Sequence, residues 1–128
     1  MRPSYTADVA QMIINGERVD AASGATMDVR NPATGEVVDS VPRADVEDTR
    51  RAIDAAAAAF PGWSKTLPTK RSDILMSAAH CVKEHLEDVA QLLTSEQGKP
   101  IRDSRIEARR FAENIEIYAG LIKGGALA

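Results

Sequence analysis

Aromatic residues are scarce. Two Phe, two Tyr and one Trp make up 4% of the chain, too few for a platform on which successive bases could stack. Cysteine occurs once, at Cys81, so no internal disulfide can form and a reducing compartment suits the chain. No apolar run approaches the roughly 18 to 20 residues that a bilayer-spanning helix needs, and the opening "MRPSYTADVAQ" lacks the apolar centre of a secretory signal. An excess of one charge is missing too. Sixteen Lys and Arg against 19 Asp and Glu give a net charge of -3, a balance that draws neither nucleic acid nor an anionic membrane. Together these absences set the expectation of a soluble, cytoplasmic protein without nucleic-acid or membrane partners.

What is present is enough apolar residue, 44% of 128, for one domain with its own core. Residues 1–11 show no periodicity and read as a flexible leader. From there the chain is α+β, with an antiparallel β meander over 12–42 and about four helices over 45–123. In the meander, Met12 to Ile14 precede Asn15-Gly16, the dipeptide that most readily supplies the positive φ angles of a tight hairpin. Thr26 to Arg30 alternate as a strand does, and "NPATGE" reverses the chain before "VVDSV". Asp45 can cap a first helix with Asp48 three residues on. That helix carries a stripe of Val46, Ile53, Ala56 and Phe60 and is expected to end at Pro61-Gly62. A second has Ile74, Leu75, Ala78, Val82 and Leu86 on one face. Near His85 to Glu87 the register shifts into a third, with Val89, Leu92 and Leu93 inward. The last runs from about Ile101 to Leu121, and "KGGALA" frays its end.

The stretch "EQGKP", Glu96 to Pro100, joins the last two helices. Gly98 falls where a helix must stop, and glycine takes the left-handed conformation there without a Cβ clash. Pro100 suits the start of the next helix, where its missing amide hydrogen costs nothing. A phosphate loop would need G-x-x-x-x-G-K-[ST]. Here Leu93 stands where the first glycine should be and Pro100 follows Lys99, so the stretch reads as a helix-to-helix corner.

In order and spacing, "NPATGE", the A-x-x-A-F-x-x-W run ending at Trp63, "EQGKP" and "YAG" at Tyr118 to Gly120 resemble the N-terminal portion of the NAD(P)-dependent aldehyde dehydrogenase superfamily. The resemblance covers about residues 12–122. "EQGKP" is more similar to the succinate-semialdehyde dehydrogenase-like branch than to branches carrying "DTGKP". It implies that residues 12–128 are part of a cofactor-binding domain in an α/β fold. It also implies a reaction in which a cysteine attacks the aldehyde carbon, hydride passes to NAD or NADP, and a glutamate directs water at the thioester. The family residues that do this, and those that hold the cofactor, fall beyond "KGGALA". The chain is therefore expected to be an N-terminal fragment with a structural role and no catalytic or cofactor-binding residue of its own. Its partners would be the remainder of the polypeptide and, at full length, further copies of itself.

Several residues invite a chemical reading. Cys81 lacks the glycine-rich approach of the family's catalytic loop and is expected to pack in its helix as a small hydrophobe. His80 and His85 are five apart, so a helix turns them to different faces and they read as surface residues. The pairs Glu84 with Glu87 and Glu113 with Glu116 read as solvated faces. By resemblance, the backbone carbonyls of Val29 and Arg30 with the side chain of Glu96 correspond to a monovalent-cation site of some relatives, and oxygen donors suit such a hard ion. The competing class is a free-standing helical module whose apolar faces bind another chain.

Overall fold

Two local signals start the β region as expected. In the computed structural model, which describes residues 10–125, Asn15 and Gly16 both have positive φ, 55° and 78°. They close a hairpin of β1 (Met12–Ile14) and β2 (Glu17–Val19). The second reversal joins β3 (Thr26–Arg30) to β4 (Val37–Pro42), antiparallel, with a bulge between Val29 and Arg30. The meander is thus two separate two-stranded sheets, β1-β2 and β3-β4. The expected leader, 1–11, falls mostly outside the described residues.

Four helices follow: α1 (Val46–Ser64), α2 (Pro68–Glu84), α3 (Leu86–Gln97) and α4 (Ile101–Lys123). The described chain divides into two compact units between Lys65 and Thr66. The first holds the hairpins and α1. The second holds α2, α3 and α4.

In the first unit, Asp45 accepts from the amides of Glu47 and Asp48, and the Asp48 carboxylate returns a bond from the Asp45 amide, a complete capping box. Asp48 does more than cap. It is 1% exposed, and its two oxygens also accept from the Ala22 amide at 3.1 and 3.2 Å and from Arg51 at 3.3 Å. One buried carboxylate thereby ties the loop after β2 to the start of α1. The helix does not stop at Pro61-Gly62 as expected but runs through both to Ser64. Proline there removes a single helical bond, the one to the Ala57 carbonyl, and its ring meets a run of small alanines, so the helix absorbs it close to its end. The Ser64 hydroxyl donates to the Pro61 carbonyl, a local partner in the last turn. Of the expected stripe, Val46, Ile53 and Phe60 remain exposed.

The second unit is built on small residues. Along α4, Ser104, Ala108, Ala112 and Ala119 are all buried, spaced so that a helix aligns them on one face. Against this seam lie α2 and α3, with Ser72 and Ala79 buried on the former and Ala90 on the latter. The inward faces differ from those expected. On α2 the seam is Ser72, Leu75, Ala79, Val82, and Ile74 stays exposed. On α3, Ala90 and Leu93 turn inward while Val89 and Leu92 are largely exposed. Alanine and serine let helix backbones approach closely, and the larger side chains are left to the other sides.

Helix α2 opens on Pro68 at its first position, where proline is well placed. It hands over to α3 at His85, inside the expected window. Gly98 then closes α3 with φ 68° and ψ 9°, and its amide donates to the Thr94 carbonyl. An alanine at this angle would carry the left-handed penalty, so Gly98→Ala is expected to cost about 1 kcal/mol or more in a denaturant melt. A midpoint equal to the parent's would refute the assignment.

Candidate functional site

The corner at "EQGKP" is held from both sides. Past the left-handed Gly98, the Pro100 carbonyl accepts from the amides of Asp103 and Ser104 and so starts α4. The Thr94 hydroxyl donates to the buried Ser104 hydroxyl at 2.8 Å. Lys99 forms an ion pair with Glu107 one turn into α4. The amine that a phosphate-binding lysine would offer to a ligand is therefore engaged, and the corner is a structural joint.

A second tie sits one helix away. Arg105 on α4 grips Glu87 on α3 with both prongs, Nε to Oε2 at 2.9 Å and NH2 to Oε1 at 2.8 Å. Hydrogen bonds from Arg105 first, and from Gln91 second, hold the Glu87 carboxyl down at about 2 from its ordinary 4.5, while the same pair raises Arg105. A folded-state pKa below the unfolded one adds stability above the unfolded value and loses it as pH falls through the folded value. The stability gap between the parent and Glu87→Gln should therefore be constant above about pH 4.5 and close as pH falls toward 2. A gap unchanged across that window would contradict the pairing. Glu87 is thus more than a solvated face. So is Glu116, which Lys83 of α2 reaches at 2.6 Å. Glu84 meets only His80, at 3.4 Å on the same helix, and Glu113 is exposed, as expected.

Cys81 does not pack. It is exposed because it lies two residues beyond buried Ala79, which a helix turns to nearly the opposite side. Its neighbour is His85, whose Nδ1 is 4.0 Å from the sulfur and donates to the Cys81 carbonyl at 2.9 Å. Both histidines lie on the surface. Among the described residues, no group of three or more His, Cys, Asp or Glu is arranged to hold a metal ion.

Of the residues matched by resemblance to a cation site, Val29 and Arg30 flank the bulge that leads into the "NPATGE" turn. That turn is closed by Asn31, whose carbonyl accepts from the Gly35 amide at 2.7 Å and whose side chain accepts from the Ala33 amide at 2.9 Å. The Arg30 guanidinium donates to the Gly35 carbonyl and pairs with Asp28 at 2.9 Å. Glu96 is an exposed residue of α3, in the other unit. The cation set thus rests on the resemblance.

A dinucleotide requires a strand, a glycine turn and a helix N-terminus open to the pyrophosphate. Both described sheets are two-stranded and antiparallel. The helix that follows β4 has its first amides occupied by the Asp45 carboxylate, with the Asp48 carboxylate beside it. Anionic side chains at that position oppose a phosphate, so these residues do not fit NAD(P). The described cavities, an open groove of about 390 Å³ between the first hairpin and the alanines of α1 and a smaller one of about 280 Å³ beside Asp20 and Thr26, lack any convergence of nucleophile and base. No helix of the described residues is long and apolar enough to cross a membrane.

The profile of the aldehyde dehydrogenase family matches residues 19–126. The chain belongs to this family. It is 42% identical over 109 residues to the succinate-semialdehyde dehydrogenase [NADP(+)] of Escherichia coli K12, covering 85% of this chain and 23% of that protein. To the glutarate-semialdehyde dehydrogenase of Pseudomonas putida it is 43% identical, with the same coverage. The crystal structure of an NAD-dependent aldehyde dehydrogenase from Sinorhizobium meliloti superposes with a TM-score of 0.85 at 36% identity, over 88% of this chain and 23% of that one. The chain thus spans about a quarter of the length of these relatives, and its strands and helices are those of an N-terminal portion of the family fold.

Proposed function

We propose that these residues form the N-terminal, structural portion of an NAD(P)-dependent aldehyde dehydrogenase that oxidises an aldehyde to a carboxylate. The observation that carries this reading is the family match over 19–126, set beside described residues that offer neither a nucleophile with a base nor a dinucleotide cradle. The chemistry, with NAD or NADP as hydride acceptor, belongs to the remainder of the polypeptide, which is also this portion's first partner. Homo-oligomerisation of the full-length enzyme is part of the same proposal.

The semialdehydes named for the relatives each carry a carboxylate away from the aldehyde. An ω-carboxy aldehyde is therefore the substrate class proposed here. Full-length enzyme supplied with NAD or NADP should generate reduced nicotinamide from such aldehydes faster than from alkyl aldehydes of equal length. Equal rates on both would remove the substrate class, and no reduction with any aldehyde would remove the proposed activity.

A further inference from the structure

Helix α4 has two faces of opposite character. The inner one is complete: Ser104, Ala108, Ala112 and Ala119 are buried against α2 and α3. On the outer side, Ile106, Ile117 and Leu121 recur at intervals that a helix aligns, and Phe111 and Tyr118, seven apart, flank them. All five remain exposed within this chain, Phe111 by 57% and Tyr118 by 59%. Arg110 lies in the midst of this face. It is exposed and has no ion-pair partner among the described residues, in contrast to Arg105, which is locked to Glu87.

We propose that this outer face is the seat on which the following part of the same polypeptide packs, and that it brings one carboxylate to Arg110. The inference rests on the proposed function, because the occupant is the stretch that family members carry beyond the matched segment. Two observations favour that occupant. The chain spans 23% of its relatives, so most of the apolar surface able to cover α4 lies outside these residues. A contiguous face of five large apolar side chains also exceeds the scattered exposure that a surface helix normally shows. A second copy fits less well, since a twofold axis through the patch would set Arg110 against Arg110. Covering an arginine with apolar surface is costly unless an acid meets it, which is why the occupant must supply a carboxylate.

Hydroxyl-radical footprinting of the full-length enzyme, read by mass spectrometry, tests the covering. Phe111 and Tyr118 should be oxidised at least about tenfold more slowly in the native enzyme than in the urea-unfolded chain. Oxidation at the unfolded rate would overturn the proposal. Protection that disappears when the enzyme is diluted to monomers would overturn it too, by assigning the face to a second copy. For the carboxylate, Arg110→Glu should lower the melting temperature of the full-length enzyme well below that of Arg109→Glu, with Arg110→Lys between Arg110→Glu and the parent. Equal shifts for the two glutamate variants would refute the ion pair. Aldehyde oxidation is measured separately, so loss of the activity claim and loss of the docking claim are distinguishable.

Discussion

Asp48→Ala is expected to be among the most damaging single substitutions in the first unit, lowering stability by about 3 kcal/mol. The carboxylate is 1% exposed and accepts from two backbone amides, Ala22 and Asp45, that belong to different segments. Alanine would strand both donors and free Arg51 from its partner. An unmade bond to a buried group costs the desolvation of the group left behind, and charged acceptors weigh more than neutral ones. Asp48→Asn keeps one oxygen acceptor and should fall between Ala and the parent. A denaturant melt in which Asp48→Ala matches the parent would show that the loop after β2 is not held by this residue.

Ala112→Leu is expected to disrupt the second unit comparably, by about 3 kcal/mol, through crowding. Ala112 is 0% exposed and lies in the α4 seam against which α2 and α3 pack. Helices that meet on alanine and serine leave no space for three further carbons, so the added side chain must force the helices apart or leave its rotamer. Ile106→Ala, on the outer face, removes more side chain than Ala112→Leu adds, yet should change the stability of this chain far less. Thermal or denaturant melts of the two variants check the contrast, and a larger loss for Ile106→Ala would reverse the assignment of faces.

The legible parts of the fold were those written in local chemistry. Asn15-Gly16 specifies a turn by its tolerance of positive φ, Asp45 with Asp48 specifies a helix start, and Gly98 before Pro100 specifies a stop and a restart. Each signal needs only a few consecutive residues. Helix faces were harder to read, because periodicity weighs large apolar side chains. Ile74, Val89 and Leu92 therefore looked inward, whereas the seam is made of Ala79, Ala90 and Ala112. A short alanine is nearly silent in such a pattern, although its lack of bulk is what allows close helix packing. The grip of Arg105 on Glu87 spans eighteen residues, and no local spacing announces it. Pro61 misled because proline normally ends a helix, and here the cost falls near the end of α1. Cys81 misled because burial is the usual fate of a free cysteine, while its position relative to Ala79 turns it outward.

The candidate site was legible as an absence. "EQGKP" and "NPATGE" supported a family resemblance, and their geometry is that of joints and turns. Lys99 is engaged by Glu107, and the Asn31 side chain closes its own loop.

The account turns on the claim that this portion supports an aldehyde dehydrogenase without performing its chemistry. The most direct measurement places the purified 128-residue chain and the full-length enzyme side by side, each with NAD and NADP and a panel of ω-carboxy and alkyl aldehydes, and follows the absorbance of reduced nicotinamide. The account predicts turnover from the full-length enzyme and none from the chain alone. Turnover by the chain alone that is lost in Cys81→Ser would contradict it, because the exposed thiol beside His85 would then be a nucleophile rather than a surface residue.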